Sequence, residues 1–175
     1  MKSSQKSLVV ERWIINASPV IALAKVGQVE LLTRLPEQAL VPQAVVEEIS
    51  IAPEGDPART ALESGIFKII EAPATPENIL AWDLGKGESA VLSYALANTG
   101  FSAVLDDSAA RRCARSFSLP VIGTLAVVIL AKQHGLIESA AHVLQALRAV
   151  NFRLDDAMIR DTLARTVGEK WKPKK

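Results

Sequence analysis

The sequence predicts an α/β protein with a central parallel sheet of about five strands and helices on both faces. Three observations lead there. Short apolar runs at 13–15, 39–41, 66–70, 102–105 and 119–122 alternate with longer stretches of helical periodicity. The links between them are long enough for crossovers, which implies parallel pairing and, through right-handed connections, a layered sheet. Two strands also end directly in polar residues: Asn16 after the first, Asp106 and Asp107 after the fourth. In open sheets of this kind the functional crevice lies outside the carboxyl ends of the strands.

Taken in order, residues 1–7 read as a flexible polar leader, 8–166 as a single domain and 167–175 as a basic flexible tail. The first strand gathers from Leu8 and ends in Trp13, Ile14 and Ile15. Ser18 is a good N-cap and Pro19 a good first helical residue, so a helix is expected to run from there to a stop at Gly27. A short helix from Gln28 to Leu35 leads to the strand Ala39–Val41, and Pro42 opens the helix QAVVEEISIA. On it Glu48 is flanked at helical spacing by Ala44, Val45, Ile51 and Ala52, which makes it, rather than Glu47, the inward-looking acid.

A turn-rich PEGDP loop precedes a short helix, Ala58 to Ser64, closed by Gly65. The strand through Ile66, Phe67, Ile69 and Ile70 gives way to EAPATPEN, a proline-broken connection. In the next helix Glu88 shares a face with Val91, Leu92 and Ala95, so its carboxylate points along the packing side. After a turn at Gly100 the strand Ser102–Leu105 stops at Asp106 and Asp107, which open a further helix. Leu119–Ile122 is the fifth strand. Thr124 is expected to cap LAVVILAKQHG, whose nearly all-round hydrophobicity implies burial on more than one side. Ile137–Val150 and Asp155–Arg165 complete the set.

The totals exclude several classes. With 49% hydrophobic and 22% charged residues over 175 positions, the chain is neither disordered nor membranous. A net charge of +1 means that any hold on nucleic acid must come from a local basic patch. The lone Cys113 has no intramolecular disulfide partner; it reads as a buried structural thiol and agrees with a cytoplasmic location. Glu11 and Arg12 cut the first apolar run too short for a secretory signal, and no run approaches a bilayer span. In Gly85, Lys86, Gly87, Glu88, Ser89 an acid stands where a Walker loop needs its lysine. His134 and His142, the two histidines, support neither a metal pair nor a triad.

One constellation remains: Asn16, Glu48, Glu88 and Asp106 with Asp107. Oxygen ligands from separate segments meeting at one sheet edge are what a Mg2+ or Mn2+ site for phosphodiester chemistry needs. Taken singly, the acids also read as a helix-start residue favoured by the macrodipole and an aspartate acting as N-cap. Arg111, Arg112 and Arg115 follow on one helix; they could bind phosphates beside the metal, pair with Asp107, from which Arg111 stands at i+4, or face solvent.

The segments IINASPVIALAKVGQVELL, LVPQAVVEEI, LGKGESAVLSYALA, VLDDSAARRCA and LPVIGTLAVVILAKQHGLI together resemble a PIN domain, and more closely the uncharacterised prokaryotic branch related to toxin ribonucleases of toxin-antitoxin operons. The resemblance covers Trp13 to Arg165 and implies a three-layer Rossmann-like fold with a metal-dependent ribonuclease site. Carried over by position, its acids fall on Asn16, Glu48, Glu88 and Asp106 or Asp107, with Ser18, Arg111 and Thr124 beside the substrate. It further implies an RNA substrate and a cognate antitoxin protein, with no membrane partner; a homodimer stays open, since the Leu125–Leu130 helix could bury against a second copy. Asn16 departs from the pattern, because an amide oxygen can coordinate a cation but brings no charge and cannot act as a base. The other reading is a PIN-like scaffold of weak or lost catalysis that binds a partner protein or RNA.

Overall fold

The computed structural model describes residues 11–173. The leader, and the beginning of the first strand at Leu8, lie outside those residues. Five parallel strands, β1 (Arg12–Ile15), β2 (Gln38–Pro42), β3 (Lys68–Ile70), β4 (Phe101–Val104) and β5 (Val121–Ile122), form one sheet in the order β3-β2-β1-β4-β5. The first strand is central and apolar on both sides, with Trp13, Ile14 and Ile15 at most 1% exposed, as a parallel strand covered on both faces must be. Its register sets Ile15 opposite Val104, so β1 and β4 stop at the same level of the sheet. The expected three-layer α/β architecture is present.

Ten helices occur among the described residues: α1 (Ala17–Lys25), α2 (Leu31–Arg34), α3 (Gln43–Ser50), α4 (Pro57–Glu63), α5 (Glu77–Leu80), α6 (Lys86–Ala97), α7 (Ser108–Ser116), α8 (Thr124–Gln133), α9 (Ala140–Ala149) and α10 (Asp156–Thr166). Two starts differ from expectation. The first helix begins at Ala17, with Asn16 and not Ser18 at the N-cap, which releases the Ser18 hydroxyl for a longer-range contact. Gly123 is the N-cap of α8 and Thr124 its first residue. Within the proline-broken connection, α5 is a helix of four residues, shorter than any periodicity can reveal. Cys113 is buried, as expected of a structural thiol, and burial pushes its pKa up.

The carboxyl-terminal stretch packs instead of trailing free. Trp171 is 6% exposed, donates its indole N–H to Asp156 (2.7 Å) and lies 5.1 Å from the Arg148 guanidinium carbon. Glu169 accepts from the backbone N–H groups of Ala140 and Ala141 and from the Ser139 hydroxyl, covering the amino end of α9. The local charge of GEKWKPKK hides this, because both contacts reach residues about thirty or fifteen positions away in sequence. Desolvation acts to raise the Glu169 pKa, but these donors and Lys132 outweigh it and hold the carboxyl below its ordinary value. The stabilisation is thus present at neutral pH and fades as pH falls through that lowered pKa. Glu169→Ala is expected to cost about 1 kcal/mol at neutral pH, as loss of a helix cap does. Trp171→Ala is expected to cost about 3 kcal/mol. Urea unfolding at pH 7 and at pH 4 measures both, and the Glu169 deficit shrinks at the lower pH.

Candidate functional site

The amino ends of α1, α6, α7 and α8 carry Asn16, Glu88, Asp107 and the partner of Asp106, and such ends favour anions through their free N–H groups and partial positive charge. Asn16 follows β1 and its backbone N–H donates to Val104 O (3.1 Å), locking it to the end of the neighbouring strand. An asparagine at an N-cap ordinarily turns its side chain back to the helix. This one makes no capping hydrogen bond. Its Oδ1 is buried and has no hydrogen-bond partner, a condition that costs about 1–3 kcal/mol.

That oxygen faces α6 and α3. Gly87 lies between them: a Cβ there would stand 2.7 Å from Glu48 Oε2, 3.0 Å from Asn16 Oδ1 and 3.3 Å from Val45 Cγ2. The absence of a side chain at Gly87 lets a carboxylate and an amide oxygen crowd one point. Glu48 as a residue is exposed, so it sits at the mouth of the cluster and not inside the core as its spacing suggested. Its carboxylate is nevertheless partly desolvated and faces Glu88, and burial first, then the Glu88 charge, push its pKa above the ordinary carboxylate value. Glu88, half-buried in the first turn of α6, folds its carboxylate back over Gly85.

Asp106 stands on the other side of Asn16, beyond β4. Its Oδ1 accepts from the Thr124 N–H (2.8 Å), and its Oδ2 accepts from the Thr124 hydroxyl (2.7 Å) and the Ser18 hydroxyl (3.1 Å). Ser18 and Thr124, expected beside the substrate, thus fix a carboxylate in place, and α1 and α8 are tied through it. Asp107 is exposed and caps α7, its Oδ2 accepting from the Ala110 N–H (2.8 Å). Adjacent in sequence, the two aspartates have separate tasks. Arg111 does not pair with Asp107; its guanidinium donates to Leu105 O (3.0 Å) and passes beside Gly123, where a Cβ would stand 2.6 Å from the guanidinium and 3.0 Å from Asp106 Oδ1. Burial and then Arg115 lower the Arg111 pKa while Asp106 opposes them.

Both histidines are exposed and remote from this chemistry. Among the described residues no group of three or more His, Cys, Asp or Glu side chains is placed to hold a metal ion. What converges is two glutamates with an amide oxygen, an all-oxygen donor set of the kind hard divalent cations take. Gly87 and Gly123 were not singled out by sequence reasoning. The one local signal was the position of Gly87 directly before Glu88.

Two substitutions read this crowding. Because Glu48 has a raised pKa when folded, its ionisation works against the folded state as pH rises through that pKa. Glu48→Gln is therefore expected to raise the melting temperature at pH 7 in chelator, with the advantage vanishing as pH falls and wild-type Glu48 takes up its proton. Gly87→Ala gains helix propensity of about 0.8–1 kcal/mol, yet pushes the flexible Glu48 carboxylate away from Asn16; the expected result is an intact fold with weakened Mn2+ binding by calorimetry.

No helix among the described residues is long and apolar enough to cross a membrane. No curated protein matches the chain. A family model described as a PIN domain matches residues 12–169, which span the sheet, every residue of the cluster and Glu169 of the packed carboxyl terminus. The match covers most of the chain and agrees with the five-stranded parallel sheet, and the chain belongs to the PIN domain family.

Proposed function

We propose that this protein is a divalent-metal-dependent endoribonuclease, the toxin half of a cytoplasmic toxin-antitoxin pair with a cognate antitoxin protein as partner. PIN domains are in general nucleases, and family membership supports the coarse class. The observation that carries the reading is the unpartnered, buried Oδ1 of Asn16 beside a Glu48 carboxylate that burial and Glu88 strain. A cation relieves both costs at once: it gives the amide oxygen a partner and offsets the repulsion between the carboxylates.

Asn16, Glu48 and Glu88 would hold Mg2+ or Mn2+, and Asp106 would complete the acidic edge, with Asp107 retained as its neighbour and as the cap that seats α7. The ion, when bound, supplies charge to the phosphoryl oxygens and activates a water. The chain's own residues set the rest. Ser18 and Thr124 fix both oxygens of Asp106 and so hold its carboxylate in one orientation. Arg111 uses one N–H on Leu105 O and keeps others to receive a phosphate oxygen beside Asp106. Glu48, whose pKa burial and then the Glu88 charge raise, is a carboxyl placed to take or give a proton at this edge.

A second reading rests on the amide itself. Asn16 takes one full negative charge out of the cage, which favours a weakly catalytic scaffold that binds a partner protein or RNA. Single-stranded RNA incubated with Mn2+ or with chelator separates the two. Cleavage is expected with Mn2+ alone, reduced at least 100-fold, about 2.7 kcal/mol, by Glu88→Gln and by Asp106→Asn. Equal cleavage in chelator, or undiminished cleavage by both variants, contradicts the nuclease assignment.

A further inference from the structure

We infer that single-stranded RNA runs from the acidic edge into a groove between α8 and α10, with Arg115 and Arg153 as its phosphate contacts. The inference rests on the nuclease reading for its starting point and adds where the substrate lies. The groove has a volume of about 760 Å³ and is lined at one end by Asp106, Arg111 and Gly123 of the site itself. It follows α8 down to Gln133 and ends at Glu11, near the amino end of β1. Ten residues of helix make it about 15 Å long, room for several nucleotides.

The charges in the groove are committed unequally. Its three acids are held in place by hydrogen bonds within the chain: Asp106 by Ser18 and Thr124, Asp155 as the cap of α10, its Oδ1 accepting from Met158 N–H (2.7 Å), and Glu11 by the Trp13 indole N–H (2.8 Å). Among the described residues Arg59, Arg148 and Arg165 form ion pairs, whereas the groove's Arg111, Arg115 and Arg153 form none. Arg111 and Arg115 repel one another across a turn of α7. Arg111 has Asp106 beside it, whereas Arg115 and Arg153 stand without an ion pair along a groove that opens at the acidic edge, and a polyanionic strand supplies each with a phosphate.

The floor suits the bases. Leu125 and Leu130 of α8 are only half-buried, and Met158 of α10 is 54% exposed across from them. Apolar surface between cationic walls is how sequence-tolerant single-strand channels work, the backbone held by charge and the unstacked bases laid on nonpolar side chains. The same surface explains why α8 is apolar nearly all round without being covered all round. A duplex has its bases turned inward and cannot use it.

The test is binding of a labelled single-stranded RNA of about 12 nucleotides, a length within the span of such grooves, to the full chain in chelator, where metal-dependent cleavage cannot proceed. Affinity is read by fluorescence anisotropy across a salt series. Arg115→Ala and Arg153→Ala are each expected to weaken binding and to reduce the slope of log affinity against log salt by about 0.7, one phosphate contact. Arg165→Ala, on the same α10 but paired with Asp161, is the control and is expected to bind as wild type. Absence of RNA binding by the unaltered protein, wild-type slopes in both groove variants, or an equal loss in the control overturns the inference. So does a Met158→Asp variant that turns a dimer into a monomer in sedimentation while RNA binding is unchanged, since a second copy would then occupy the groove. Cleavage that survives while the slopes stay flat leaves the nuclease and removes the track. Reduced slopes without any cleavage do the reverse.

Discussion

The buried, unpartnered amide oxygen of Asn16 is the constraint around which the carboxyl edge of the sheet is arranged. A folded chain ordinarily pairs every such atom, and a capping asparagine has a ready partner in its own helix. Here the backbone of Asn16 is fixed by Val104 O and its side chain is turned away from α1 toward Gly87 and Glu48. The opportunity for a cap is given up to set a buried oxygen beside Glu48. Stability has been exchanged for an unsatisfied donor set, as is common where a site waits for its ligand.

The rest of the edge follows from holding that oxygen in company. Gly87 clears the space through which Glu48 reaches Asn16, and Gly123 does the same for Arg111 and Asp106. Asp106 is braced by hydroxyls from two helices that flank different strands, and as a carboxylate it has no hydrogen to offer the Asn16 Oδ1. Glu48, at the mouth, carries the remaining electrostatic cost, because it must stay near Glu88. Below these residues β1 and β4 are packed on both faces, which keeps the edge rigid. Glu169 secures the amino end of α9, and Trp171 that of α10, one wall of the arginine-lined groove.

Much of this was legible in the residues themselves. Alternating apolar runs located all five strands, and a polar residue directly after a buried strand marked Asn16 and Asp106, since strand ends are set by local pattern. Glu88 was legible from its spacing to Val91 and Leu92. Helical spacing also set Glu48 apart from Glu47, but it placed the residue inward where it lies exposed at the rim, because periodicity gives direction around a helix and not depth in the fold. Which of two adjacent aspartates caps and which serves the site depends on where Thr124 arrives, eighteen residues later. The roles of Gly87 and Gly123 depend on close approach between helices that follow different strands. The carboxyl terminus misled for the same reason: four lysines dominate its composition, while Trp171 and Glu169 find their partners far away in sequence.

The most direct measurement is the melting temperature of the purified protein as Mn2+ is raised to millimolar concentration, with Glu88→Gln alongside. A ligand that binds the native state alone must stabilise it, by about 2.7 kcal/mol at one hundred times its dissociation constant. The account predicts a rise in melting temperature that saturates with metal in the wild type and is largely lost in the variant. A wild type whose melting is indifferent to millimolar Mn2+ would contradict it, and the strained cluster at Asn16 would then need another occupant.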